Sequence, residues 1–533
     1  MEEFDYVVVG GGSAGCVVAS RLSEDPSVKV CLLEAGGEGR DVLIRAPLGF
    51  ALAMPRGINS WNYQTVPQPG FNGRPGFQPR GKALGGSSAI NAMIYARGHR
   101  LDYDNWAALG NPGWGYDDVL SYFKKSEANA IHRDSPYHGV DGPLHVTDLR
   151  SPSPLNDVFL EACQSQGIPF NPDFNGAEHH GCYHVQVTQN DGERHSVAAA
   201  FIHPNMDRHN LDVRTGAHTT RVLFDERRAT GVEYERGGQI HALGVRREVV
   251  MSAGAFGSPQ ILMASGLGPG DHLQGLGITP VLHIPGVGQN LQDHISALLI
   301  YRSLVPDHTI GISPTGVARL IKAMWTWRRH RSGLITSCAA ESGVCYRTTP
   351  DVEVSDIEME LIVGIGDDHG RKLHLGHGYS AHLLLARPKS VGEIRLASLD
   401  TRVAPLIDPK YFSHPYDMET LVKGVQIALD IMSSRAFDRY RGEMLIRYDR
   451  DDPRQIEETL RQYADTEYHV CGTCKMGPDS DPAAVVDAQL RVRGISGLRI
   501  ADASVMPCVT SNNINAAVIM IGEKCADMIK QTA

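Results

Sequence analysis

Gly10, Gly12 and Gly15 form a G-x-G-x-x-G turn, and Glu34 follows roughly 20 residues after the last of them. Glycines at these steps permit a tight turn and let the main chain approach a pyrophosphate at a helix N-terminus. A carboxylate placed like Glu34 can accept hydrogen bonds from a ribose 2'-hydroxyl. The elements that must hold these groups are legible around them. The apolar run Phe4 to Val9 reads as a buried strand, the small residues from Ala14 to Ala19 as a helix, and residues 28–33 as a second strand ending at Glu34. A bare glycine motif could be an ordinary turn, but flanked in this way it predicts a dinucleotide site. On these residues alone NAD and FAD stand level.

Two further small-residue clusters follow. Gly81-Lys82-Ala83-Leu84-Gly85-Gly86-Ser87-Ser88-Ala89-Ile90-Asn91 lets backbone N–H groups face an anion or a flat ring without obstruction by Cβ atoms, although by itself it could be a loop. Gly254 to Gly268 reads as a turn, a helix and a glycine stop, a structural pattern as much as a binding one. Cys471 and Cys474, just after His469, have a spacing suited to a redox dithiol or half a metal site. No second Cys/His pair lies near enough in sequence to complete tetrahedral zinc, so the expectation is two small packed residues and no metal. The segment Trp325-Thr326-Trp327-Arg328-Arg329-His330-Arg331 is basic and aromatic, the pattern of a solvated helix end or of a contact with a membrane surface where a quinone is reduced.

The chain has 533 residues, of which 42% are hydrophobic and 21% charged, enough for two domains and a large core. A net charge of -10 argues against nucleic acid as the main partner. No run reaches about 18 consecutive apolar residues, so no membrane span is expected. Ten scattered cysteines fit a reducing compartment, and the acidic start running straight into a strand gives the expectation of no secretory leader. The resulting expectation is a cytoplasmic protein, with peripheral contact at the inner membrane as its variant.

Residues 41–80, rich in Pro, Gly and Asn, read as an extended excursion over the surface of the first domain. Residues 246–252 read as a strand leading to the turn at Ala253. Beyond residue 300 the pattern changes to a basic helix over 319–331, strand-like stretches at 358–363, 380–386 and 393–396, and a helix over 418–432. Nucleotide-fold character returns with a strand ending at Asp502 and a helix over 516–529. The expected architecture is α/β: a Rossmann-like dinucleotide-binding domain (1–140, 190–300 and 466–533) with an inserted α+β substrate domain (141–189 and 301–465), an antiparallel sheet covered by helices.

Taken together the motifs resemble the glucose-methanol-choline oxidoreductases. Residues 81–104, including Tyr95, Gly98 and Asp104, match the first signature of that family, and residues 254–268 match the second. Gly286 to His294, Tyr468-His469 to Gly477, and Ala501-Asp502-Ala503-Ser504 are similar to further hallmarks, so the resemblance spans essentially the whole chain. It looks closest to bacterial choline-dehydrogenase-like and aliphatic alcohol dehydrogenases.

The resemblance implies FAD as resident cofactor. It places FAD against Gly10, Gly12, Ser13, Ala14, Gly15, Glu34, Ala35, Trp61, Gly85, Gly86, Ser87, Asn91, Ala92, Met93, Ile94, Val222, Ala253, Gly254, Asp502, Ala503 and Asn515. Some members tether the flavin through a histidine just before the signature asparagine. Ile90 occupies that position here, which predicts non-covalent FAD. The catalytic pair carried over is His469, the base, and Asn513, which would hold the developing alkoxide. Histidine suits proton transfer near neutral pH, and asparagine supports an oxyanion without competing for the proton. The helix after Asn515 would direct its N-terminus at the flavin. Asp502 would orient that region or merely cap a loop. Glu341 is a candidate carboxylate for a quaternary ammonium, or a structural residue. The implied reaction is oxidation of a primary alcohol to the aldehyde, with a quinone or other acceptor taking the electrons. Oxidases of aryl or furan alcohols or choline, sorbose-type dehydrogenases and hydroxynitrile lyases remain alternatives, and so does the identity of the alcohol.

Overall fold

The computed structural model describes residues 1–532. The first strand, Glu2–Val9, forms the middle of a seven-stranded sheet, parallel to Val30–Leu33 on one side and Gln239–Met251 on the other. Val7, Val8 and Val9 are all buried, as expected for a parallel strand covered on both faces. Leu211–Arg214 extends the sheet beyond Val30–Leu33, and Leu498–Ile500 pairs in parallel with the end of Gln239–Met251. The long strand Gln239–Met251 also carries an antiparallel ribbon, Arg228–Arg236 and His218–Asp225.

The turn after the first strand requires its glycines. Gly10 has φ +100, and a Cβ there would lie 2.5 Å from the Ser252 carbonyl oxygen. A Cβ on Gly15 would lie 2.0 Å from the Gly10 carbonyl oxygen, so the helix Ser13–Leu22 can sit this close to the strand only without a side chain. The C-terminal helix, Asn515–Thr532, packs along Ser13–Leu22, with Gly522 facing Ala14. Ser13 Oγ donates to Asn515 Oδ1 at 2.7 Å, joining the N-termini of the first and last helices.

The second sheet is antiparallel. Its strands run Arg441–Met444, Ile295–Ser303, Gly376–Leu385, Ile357–Ile362, Ala340–Tyr346 and Gly181–His184, with two short additions, Gly311–Ile312 and Asp465–Thr466. One face is covered by the helices Leu155–Ser165, Pro415–Met432 and Pro453–Tyr463. The core there includes Phe159, Met359, Leu383, Val425 and Leu460. Residue 300, the boundary expected above, falls inside Ile295–Ser303, which pairs within this second sheet. The stretch expected at 393–396 is the strand Gly392–Arg395, which lies in a separate three-stranded sheet with Gln289–Leu291 and Leu406–Asp408.

Residues 41–80 are not a plain extended surface segment. They form the short helices Val42–Arg45 and Phe50–Ala53, and Tyr63–Gln64 pairs with Phe77–Gln78. Ala46 and Leu48 pack against Ala323 and Trp327 of the helix Pro314–His330, so this segment bridges the two sheet domains.

Candidate active site

A cavity of about 720 Å³ lies between the two domains. At one end it is walled by Gly10, Gly12, Ser13, Ala14, Glu34 and Ala35. Trp61, Gly86, Ser87, Asn91 to Ile94, Ala253, Gly254, Asp502 and Ala503 continue the wall, and Asn515 meets this end through Ser13. His469 and Asn513 also line the cavity. Three of the expected cofactor residues lie off it. Gly15 is under the turn against Gly10. Gly85 joins loops, its N–H donating to the Gly11 carbonyl at 2.7 Å, and Val222 is buried with its N–H on Ser265 Oγ at 2.8 Å.

This lining fits a dinucleotide. The helix Ser13–Leu22 starts at Gly12 without a side-chain cap, so its first N–H groups are free to meet an anion. A Cβ on Gly12 would meet nothing nearer than 3.7 Å, and one on Gly254 nothing within 4 Å, so bare backbone borders the cavity at both. Glu34 is held by two main-chain donors, Gly36 at 2.7 Å and Gly11 at 2.9 Å, one on each oxygen. Burial pushes its carboxyl up to about 7 against those bonds, and each oxygen keeps a lone pair for a ribose hydroxyl. Asp502 does cap: its Oδ1 takes the Ser504 N–H at 2.8 Å, while Oδ2 takes the Gly254 N–H at 2.9 Å and Ser258 Oγ at 2.5 Å.

At the other end the chemistry is set by two histidines. His294 and His469 face each other through their Nδ1 atoms at 2.9 Å, both rings being buried. His294 Nε2 lies 3.1 Å from the Ala386 carbonyl, which can only accept, so His294 carries its proton on Nε2. Burial pushes His294 down to about 4, leaving its Nδ1 a bare acceptor. His469 must then donate from Nδ1, and its Nε2 is the unprotonated nitrogen. Burial, with His294 and Arg80 nearby, holds His469 well below the ordinary histidine range, so the resting ring is neutral. The Asn513 amide nitrogen stands 3.3 Å from that Nε2.

The supports of His469 are as specific. Its N–H donates to Asp293 Oδ1 at 2.9 Å, and Asp293 Oδ2 accepts from Thr466 Oγ1 at 2.6 Å, from Gln78 and from the Tyr411 hydroxyl. Tyr468, the preceding residue, has φ +68, and Met93, across the cavity wall, has φ +65. Non-glycine residues in that region are held there by their surroundings and gather at functional sites.

The three neighbouring asparagines separate cleanly. Asn512 bonds His179 Nε2, Asn513 meets His469, and Asn515 takes the Ser13 hydroxyl. Of the two readings of Glu341, its contacts fit the structural residue. Its oxygens accept from Ser153 N–H at 2.6 Å, Asn156 Nδ2 at 2.7 Å and Ser337 Oγ at 2.5 Å, and it does not reach the cavity. Besides Glu34 at the glycine turn, the glutamates that line it are Glu360 and Glu467, together with His382. Cys471 and Cys474 are fully buried in the first domain's core, with burial pushing both thiols up.

GMC oxidoreductase sequence profiles match residues 4–296 and 388–522. The chain belongs to the GMC oxidoreductase family and is an FAD-dependent oxidoreductase. It is 42% identical to the alcohol dehydrogenase [acceptor] of Pseudomonas putida, over 99% of this chain and 95% of that one. It is 41% identical to mouse mitochondrial choline dehydrogenase, over 99% and 90% of the two chains. Among solved structures it superposes on pyridoxine 4-oxidase from Mesorbium loti with a TM-score of 0.88 at 30% identity, covering 99% of both chains.

Proposed function

We propose that this protein oxidises a primary alcohol to the aldehyde, and the observation that carries the reading is the unprotonated Nε2 of His469 held beside the Asn513 amide in the cavity. Bound there, FAD supplies the hydride acceptor at flavin N5. The chain's own groups handle the hydroxyl. His469 Nε2 accepts its proton, a step worth roughly 10²- to 10⁴-fold in rate. The Asn513 amide N–H donates to the substrate oxygen as negative charge develops on it. His294 keeps the His469 ring in the one tautomer that can do this. The relatives named alcohol dehydrogenase and choline dehydrogenase support an alcohol as substrate. Ile90 lines the cavity with a side chain that forms no flavin bond, which supports FAD held without a histidyl tether. The test is an anaerobic panel of alcohols followed by flavin bleaching. Reduction by at least one primary alcohol, lost in His469→Ala, is expected. Full flavin reduction by His469→Ala would sink the assignment, and no bleaching by any alcohol would favour a lyase.

For the acceptor we propose a quinone met at a membrane surface, rather than oxygen. No helix among the described residues is long and apolar enough to cross a membrane. The helix Pro314–His330 instead turns an apolar face outward: Ile321 is 66% and Trp325 60% exposed, with Val317 and Met324 beside them. The same helix carries Arg319, Lys322, Arg328 and Arg329 and no acidic residue, in a chain of net charge -10. Val317, Met324 and Leu373 also border the cavity, so this face surrounds its mouth. An amphipathic basic helix of this kind suits an anionic lipid surface.

A further inference from the structure

The strand Ile357–Ile362 alternates, with Ile357, Met359 and Leu361 in the helix-covered core and Glu358 and Glu360 on the other face. Glu358 is engaged, its Oε1 accepting from the Tyr183 hydroxyl at 2.6 Å. Glu360 differs. It is only 7% exposed, it lines the cavity with His469 and Asn513, and its Oε1 has no hydrogen-bond partner. A buried carboxylate oxygen without a donor is costly unless a ligand supplies one.

The neighbours define what that ligand is. In register Glu360 stands opposite Gly343 on one side and His382 on the other. His382 lies with Nδ1 3.2 Å from Glu467 Oε1, while its Nε2 has no hydrogen-bond partner. The groups acting on Glu360 are therefore Glu358 on its own strand, Glu467 and His382 across it, and the Asn513 amide. Three carboxyl groups face one histidine in this wall, so a cation entering there meets acceptors and not a like charge. No fixed cation from a neighbouring strand neutralises Glu360. Asn513 links the two ends of the site, since its amide acts on Glu360 and also lies beside His469 Nε2.

We propose that Glu360 is a specificity-determining residue that binds a protonated amine bearing N–H donors, so that the substrate is a short amino alcohol with its ammonium a few bonds from the reacting hydroxyl. The inference rests on the alcohol-oxidising reading of the cavity. The unpartnered oxygen wants a hydrogen-bond donor, which a protonated primary amine has and a quaternary ammonium lacks. Burial and the neighbouring carboxylates of Glu358 and Glu467 raise the Glu360 carboxyl well above its ordinary range, so it holds a proton when no ligand is present. An arriving ammonium replaces that proton with an equal charge, and one proton leaves to solvent.

The test uses the FAD-loaded enzyme and a matched pair, propanolamine and its hydrocarbon isostere butanol, under anaerobic flavin bleaching. The wild type is expected to favour propanolamine by about 100-fold in kcat/KM, and Glu360→Gln to bring the ratio to within about threefold. A structural role for Glu360 would lower both substrates together and leave the ratio standing. Calorimetry with propylamine, which has no hydroxyl to oxidise, is expected to show binding with proton release in wild type and neither in Glu360→Gln. Equal use of butanol, an unchanged ratio in the variant, or better use of choline than of propanolamine overturns the proposal while leaving alcohol oxidation intact. If no alcohol bleaches the flavin, alcohol oxidation fails, and the propylamine result still decides whether Glu360 binds an amine.

Discussion

His294 and His469, 175 positions apart in the chain, share one proton between their Nδ1 atoms at 2.9 Å, and the Ala386 carbonyl decides which ring owns it. Asking the carbonyl to accept leaves a single consistent tautomer for the pair. The tautomer of the His469 ring is thus set by a group that does not line the cavity.

Removing that control has a specific signature. His294→Ala leaves His469 Nδ1 without an acceptor and lets the ring change tautomer, so flavin reduction by alcohol is expected to slow by about 100-fold. His294→Asn, whose amide oxygen can accept from Nδ1, is expected to recover part of the loss. Stopped-flow reduction of the three proteins over a pH series checks this. Equal rates in wild type and His294→Ala would refute the relay.

Acid should unfold the protein through its buried neutral histidines. His294, His179 and His195 are each pushed down to about 4, with burial the largest cause, against 6.5 when solvated. As pH falls below about 6.5 the unfolded chain takes protons that the folded chain refuses, so their contribution is complete above that value and is lost progressively towards about 4. Tm measured across this window should fall steadily, and His195→Gln, away from the cavity, should flatten the slope.

Glu34 ties the dinucleotide end together. Glu34→Ala leaves the Gly11 and Gly36 N–H groups without their acceptor, a cost of about 1–3 kcal/mol, and removes the ribose acceptor as well. Protein purified from this variant should carry far less flavin, and titration with FAD should show at least tenfold weaker binding, roughly what 1.4 kcal/mol produces. Flavin content matching wild type would exclude this role for Glu34.

The outward helix makes a prediction about membranes. Wild type should co-sediment with vesicles containing phosphatidylglycerol, with salt weakening the association, and the double variant Ile321→Glu, Trp325→Glu should remain in the supernatant with unchanged anaerobic flavin reduction. Absence of wild type from the vesicle pellet at low salt would remove the membrane surface from the acceptor reading.

The parts of this architecture visible in the sequence are those governed by local rules. Gly10 and Gly15 announce themselves because only glycine fits their backbone, and Glu34 follows from its place at a strand end. Asn513 was singled out through the family resemblance, and in the structure Asn512, Asn513 and Asn515 take separate partners. What sequence reading missed depends on pairing between distant strands. Glu341 and Glu360 both lie on apolar strands of one sheet, but only the placement of the neighbouring strands and helices shows that the first is consumed by Ser153, Asn156 and Ser337 while the second borders the cavity. Two glutamates at alternate positions of an otherwise apolar strand, Glu358 and Glu360, were the available signal. His294 was in view within a recognised motif, yet nothing local reveals that its partner is His469.

The bond from Ser13 to Asn515 also closes a long loop of chain. It joins residues 502 positions apart, and Leu498–Ile500 adds to the same sheet as the first strand. The nucleotide cradle is therefore assembled from segments distant in sequence, and loosening the helix Asn515–Thr532 should weaken the grip on a dinucleotide without altering any residue of the glycine turn.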